Sequence, residues 1–253
     1  MKHKYKFGLR GPDKQDRRDY IYSAAKKLVV PDSISFLNKC PMRFLQDRND
    51  CVVNGSIGIM QFNDMADDGK FTPLSRRMLY QACLEADGNP HDDIGTWGRT
   101  ALSCLVKQGV CAEELWPYTK QFDEKPTDDC YADAKKRRAY LYWRIKSLYD
   151  AQACLTSGKL FMMGIPVFNS FVSKKVAETG IVPMPGRYEN IIGYHQVYTC
   201  GYYNKDQRVE CVNSWGRDWG NDGAFTLLYE YLERFVLPEG MGDCTTILRQ
   251  LNG

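Results

Sequence analysis

Two periodicities divide the chain. From residue 51 to residue 136 apolar positions recur at helical spacing, and from Tyr140 onward they alternate with polar ones. In the first stretch Val52, Val53, Ile59, Met60, Phe62 and Met65 make an imperfect helical pattern that contains Gly55 and Gly58. Glycine inside a helix costs up to about 1 kcal/mol, so its presence predicts close packing on that face. Asp50 stands where an N-cap belongs, which puts Cys51 in the first turn. Ser75 is placed to cap a second helix with Leu74, Met78, Leu79, Ala82 and Ala86 on one face. Thr96 is placed to cap a third, carrying Ala101, Leu102, Leu105 and Val106 and stopping at Gly109. Residues 126–136 read as a further helix.

The second stretch predicts strands at 140–145, 159–168, 195–203, 208–215, 224–228 and 245–251, with short helices near 148–157 and 170–178. Asn204 to Gln207 reads as a hairpin tip. The prediction is an α+β protein: a mainly helical lobe over 36–138, a mainly β lobe over 139–253, and a cleft between them. Residues 1–35 precede both. Their first thirty are rich in Lys and Arg and are expected to lie extended over the surface with solvated charges.

Composition narrows the function classes. A chain of 253 residues buries a substantial core without staples. The balance of 34 basic against 31 acidic residues gives no basic face for nucleic acid. No apolar run is long enough to span a membrane, and the N-terminus lacks the apolar stretch of a signal peptide. The expected compartment is therefore cytoplasmic and reducing. With ten cysteines, three histidines and no Cys-x-x-Cys, neither a metal site nor a cofactor is expected, and most thiols read as small buried hydrophobes.

One cysteine stands apart because of what lies downstream. Residues 212–225 (Val-Asn213-Ser-Trp215-Gly-Arg-Asp-Trp219-Gly-Asn-Asp-Gly-Ala-Phe) pack two tryptophans among three glycines, and Gly193-Tyr-His195-Gln196 opens a strand upstream. As packing alone this is a tight loop under aromatic cover. A histidine and an asparagine in that setting, with a cysteine at a distant helix start, also fit nucleophilic catalysis. His195 follows Cys51 by 144 residues and Asn213 follows it by 162, against about 130–150 for a papain-type arrangement.

The sequence resembles the papain-like cysteine peptidases. The likeness rests on Asn-Ser-Trp-Gly-x-x-Trp-Gly-x-x-Gly, on the preceding Gly-x-His, and on the helix-opening cysteine. It is closest to the compact bacterial and viral branch, through Asp16-Arg-Arg-Asp-Tyr, residues 109–118 and residues 179–185. The resemblance implies a two-lobed papain-like fold in one domain over 1–253, and hydrolysis of peptide or amide bonds through a thioester. Cys51 would be the nucleophile, His195 its ion-pair partner and general acid, and Asn213 the residue orienting the imidazole, under the shield of Trp215. Gly95 and Thr96 would pair with substrate backbone, and Gln196 would line a specificity pocket. Implied partners are a peptide or protein substrate and assembly partners, with a host-cell or virion location if the source is viral.

Three departures accompany this likeness. The family's oxyanion glutamine falls six residues before the cysteine, where Leu45 stands; Gln46 lies five before. Asn49-Asp50 replaces Gly-Ser, and an anion there raises a thiol pKa. Tyr194 and Gln196 flank the histidine. The alternative reading is a catalytically degenerate fold used as a structural or binding module. The residues before Pro31 are also fewer than a long inhibitory pro-segment has, which leaves control to compartment, partner or timing.

Overall fold

The computed structural model of the protein describes residues 5–25, 28–40, 43–121 and 124–249. Its helices are α1 (Cys51–Asp68), α2 (Arg76–Ala86), α3 (Gly98–Lys107), α4 (Asp128–Ala134), α5 (Leu148–Thr156), α6 (Lys174–Thr179) and α7 (Tyr229–Phe235). Its strands are β1 (Ser33–Ser35), β2 (Ala139–Arg144), β3 (Phe161–Phe168), β4 (Ile191–Tyr203), β5 (Arg208–Val212), β6 (Ala224–Leu228) and β7 (Asp243–Arg249). The strands form one antiparallel sheet in the order β2-β7-β3-β4-β5-β6, and β1 extends the free edge of β4 beyond the end of β3. The α+β architecture is the one the two periodicities predict. The sequence pattern missed β1 and α7. The expected end of the last strand, at Leu251, lies outside the described residues.

Helix α1 is the spine. Every residue from Cys51 to Phe62 is buried, so polar positions such as Asn54 and Ser56 face protein, which blurs the amphipathic pattern. The two glycines are explained by what crosses them: a Cβ at Gly58 would lie 2.5 Å from the Tyr198 ring of β4, and one at Gly55 would lie 3.3 Å from Gln196. Ser75 caps α2, its hydroxyl accepting from Met78 N–H at 3.0 Å. Thr96 caps nothing. Trp97 is the N-cap of α3, and the Thr96 hydroxyl donates to Asp87. One apolar core joins α1 to β3, β4 and β5, and a smaller one gathers Met78, Cys111, Trp116, Cys130 and Ala134. All ten cysteines are buried and unpaired. Among the described residues no helix is long and apolar enough to cross a membrane.

The basic side chains Lys6, Arg10, Lys14, Arg17 and Arg18 of the N-terminal segment are exposed as expected, but the segment does not lie wholly on the surface. Residues 5–10 run through the middle of the molecule's functional face, and Leu9 is fully covered there.

Candidate active site

Cys51 opens α1, with its sulfur at the helix N-terminus and no solvent exposure. Asp50 is at the N-cap position, but its carboxylate does not cap. It accepts from the Tyr118 phenol at 2.8 Å and from the Asn54 amide at 2.9 Å. Asn54 in turn accepts from Arg76, whose guanidinium lies 3.7 Å from the centre of the Tyr118 ring.

The opposite wall is β4 and the loop after β5. His195 Nε2 and Asn213 Oδ1 are 2.8 Å apart, and the same oxygen accepts from Ser214 N–H at 2.7 Å. The backbone donor fixes which end of the Asn213 amide is oxygen, so Nε2 carries the imidazole proton and Nδ1 its lone pair. Trp215 stacks on the imidazole at 4.7 Å and is itself boxed by Trp219 and Phe171. Leu45 pairs with Trp215 through the backbone, which seats Gln46 beside this loop. Gln46 Oε1 accepts from Ser214 Oγ, and its Nε2 donates to the carbonyls of Arg48 at 2.8 Å and Lys6 at 3.4 Å. Gln46, Cys51, His195, Asn213 and Trp215 are thus brought to one cleft. Gln196 joins them with its backbone N–H, which donates to Cys51 Sγ at 3.3 Å, while its side-chain oxygen lies beside Gly164.

The cleft is occupied by the chain itself. Gly8 N–H donates to Cys51 Sγ at 3.2 Å. Gly8 C=O accepts from Thr96 N–H at 2.9 Å, and Arg10 N–H donates to Thr96 C=O at 3.1 Å, so the segment pairs on Thr96 as a strand does, next to Gly95. Tyr5 stacks on Trp215 at 4.4 Å, Phe7 sits edge-on to His195, and the Leu9 side chain fills the space next to Gly164 and Gln196. The approach is closest at Gly8, where a Cβ would lie 1.9 Å from the carbonyl oxygen of Asn49.

Under this cover Cys51 and His195 are both neutral. Burial pushes the Cys51 thiol up to about 12 against the two N–H donors, with the Asp50 charge adding to the rise. Burial also pulls His195 down to about 4, and its hydrogen bond to Asn213 only partly opposes this. The sulfur and imidazole make no hydrogen bond, and Nδ1 is buried without a partner. The expected ion pair is therefore not formed with the segment in place.

A cysteine at a helix start, facing a histidine tethered to an asparagine under a tryptophan, is the arrangement that the sequence likeness implied. Residues 40–234 match the family model described as papain family cysteine protease. The chain belongs to that family. It is a cysteine peptidase, acting on peptides or proteins. An uncharacterized peptidase C1-like protein of Acanthamoeba polyphaga mimivirus is 30% identical over 225 residues, covering 85% of this chain and 70% of that one. The crystal structure of xylellain, a cysteine protease from Xylella fastidiosa, superposes with a TM-score of 0.87 at 27% identity and covers 98% of both chains. A procathepsin B from Trypanosoma congolense shares the fold, with a TM-score of 0.73 at 15% identity over 96% of this chain and 87% of its own.

Sequence reasoning missed the occupants of the papain-family cleft. The signal was there: Tyr5, Phe7 and Leu9 alternate with polar or small residues as a buried strand does. It also missed Tyr118, whose role depends on a contact 68 residues away from Asp50.

Proposed function

We propose that the protein hydrolyses peptide bonds through a Cys51–His195–Asn213 triad and a thioester on Cys51. The observation that carries this reading is the imidazole tautomer: with Nε2–H committed to Asn213, the lone pair on Nδ1 is the one left for the thiol proton. Once substrate replaces the N-terminal segment, His195 takes the proton and the Cys51 thiolate adds to the carbonyl carbon. Negative charge then develops on the carbonyl oxygen. The Gln46 amide, which already donates to the Lys6 carbonyl, is placed to donate to that oxyanion, together with the N–H groups at the start of α1. The C–N bond breaks as His195 returns the proton to the leaving amine. Water, deprotonated by the same imidazole, then cleaves the thioester and frees the acid and the thiol.

Thr96 supplies the backbone on which the substrate pairs, as it does for residues 8–10, and Gly95 beside it lets the paired chain approach closely. Gln196 and Gly164 line the pocket now filled by Leu9, so a medium-sized apolar side chain is the substrate feature that fits there.

The test is a peptide-library digestion by the Gly8→Ala protein, in which the crowded contact with Asn49 expels the segment. The reading predicts cleavage, an acid-trapped acyl adduct that maps to Cys51, and loss of both in Gly8→Ala/Cys51→Ala. Cleavage that survives the second substitution refutes it.

A further inference from the structure

The cysteines outside the cleft are not scattered evenly. Cys40 hydrogen-bonds Cys200, Cys111 hydrogen-bonds Cys130, and Cys83 of α2 hydrogen-bonds Cys104 of α3. The first two pairs are sealed, each residue being 4% exposed or less. The Cys130 sulfur is also engaged by the Thr127 hydroxyl at 3.3 Å and donates to the Leu115 carbonyl at 3.5 Å. The third pair differs. Cys104 is 9% exposed, more than any other cysteine of the chain, while Cys83 beneath it is fully buried. Asp87, which ends α2, accepts from the hydroxyls of Thr96 at 2.7 Å and Thr100 at 2.8 Å, so α3 is held against α2 and the two sulfurs keep their contact. The hydrogen bond from Cys83 holds the Cys104 thiol below the ordinary cysteine value, against burial, whereas burial pushes Cys83 up. An accessible thiol that ionises readily beside a second thiol is what disulfide exchange requires: the first attacks and the second resolves.

We propose that Cys83 and Cys104 are a redox site, at which exchange with a small disulfide forms a bond that staples α2 to α3. The Cys104 thiolate attacks one sulfur of the small disulfide. That S–S bond breaks, leaving a mixed disulfide on Cys104 and releasing one small thiolate, which takes up the proton that Cys83 loses. The Cys83 sulfur then attacks the Cys104 sulfur and expels the second small thiolate, which takes up the proton that Cys104 gave to solvent. Two protein thiols are oxidised as one small disulfide is reduced to two thiols. The new bond closes residues 84–103 into a loop. That span carries Thr96, whose backbone pairs with Gly8 and Arg10 and whose side chain hydrogen-bonds Cys83, so the staple lies directly behind the cleft wall. Neither sulfur is Cys51, so the site stands whichever residue is the nucleophile.

The experiment incubates the reduced full chain with 2-hydroxyethyl disulfide, quenches in acid, blocks the remaining thiols in denaturant and maps the linked peptides. The expected product is lighter by two hydrogens, joins Cys83 to Cys104, and is reversed by dithiothreitol with unchanged circular dichroism. It is expected to form at least about tenfold faster than any link at Cys40–Cys200 or Cys111–Cys130, because exchange follows thiolate fraction and access. Cys83→Ser is expected to stop at the mixed disulfide, heavier by one hydroxyethylthio group on Cys104. A folded chain in which Cys104 stays unmodified, or in which either sealed pair links first, overturns the proposal. So does a native chain that stops at the same mixed disulfide as the variant. If Cys83→Ser does not fold, the product of the native chain decides alone.

Discussion

The phenol of Tyr118 donates to the buried carboxylate of Asp50 at 2.8 Å, one residue before Cys51, the proposed nucleophile. Burial outweighs this bond and the nearby Arg76 and raises the Asp50 carboxyl to about 6. A carboxylate at the positive end of α1 competes for the field that a thiolate needs. Asp50→Asn is expected to move the pH midpoint of Cys51 alkylation down by about one unit in the Gly8→Ala background, a gain of about 1.4 kcal/mol for the thiolate. An unchanged midpoint shows that Asp50 does not act on the sulfur.

The same carboxyl has a stability consequence with a definite sign. Its pKa in the fold, about 6, lies above its ordinary 3.8, so folding takes up a proton between those values. Its contribution is complete below pH 3.8 and lost as pH rises through 6. Asp50→Asn, which stays neutral, is expected to gain stability relative to the native protein on going from pH 5 to pH 7.5. Urea unfolding at the two pH values checks this.

His195 works in the opposite sense. Its imidazole is pulled from 6.5 to about 4 by burial, so the unfolded chain takes the proton first as pH falls. Stability from this residue is complete above pH 6.5 and drains away toward pH 4. His195→Gln is therefore expected to lose less thermal stability between pH 7 and pH 4.5 than the native protein, as read by differential scanning calorimetry.

Asn213 fixes the tautomer but carries no charge. Asn213→Ala is expected to lower kcat/KM by about 10–100-fold in the Gly8→Ala background, less than the ~10⁴ seen when an anionic triad member is neutralised. The drop is expected in kcat rather than KM, because the residue touches the imidazole and not the substrate.

Packing of the spine is tested at Gly58. Its position leaves 2.5 Å between a Cβ and the ring of Tyr198, a buried side chain of β4 that packs on α1. Gly58→Val is expected to destabilise the fold by about 1–3 kcal/mol, measured as a shift in the urea midpoint at constant m-value.

Much of this was written locally. The alternation at 224–228 matched β6 residue for residue, and the serine before Arg76 capped its helix, because both signals depend on neighbours within a few positions. Cys51 at a helix start and His195 on a strand were legible for the same reason. Thr96 misled: it has a cap's chemistry, but its hydroxyl was claimed by Asp87 and its backbone by Gly8 and Arg10. The helix α7, Tyr-Glu-Tyr-Leu-Glu-Arg-Phe, follows β6 without a turn residue, so the pattern gave no boundary there.

By itself, then, the sequence determined the order of most helices and strands, the α+β class and the family, along with the residue types available for thiol chemistry. Those follow from short-range periodicity and from motifs whose spacing survives in one dimension. Only the tertiary structure decided the state of the site. Whether Cys51 is thiol or thiolate depends on burial and on Asp50, and whether a substrate can reach it depends on a segment more than forty residues upstream. The ionic cluster in which Arg99 and Arg144 hold Asp13, Asp19 and Asp243 unites residues from 13 to 243, and no local signal encodes such a contact, because its energy exists only once the low-dielectric interior has formed around it.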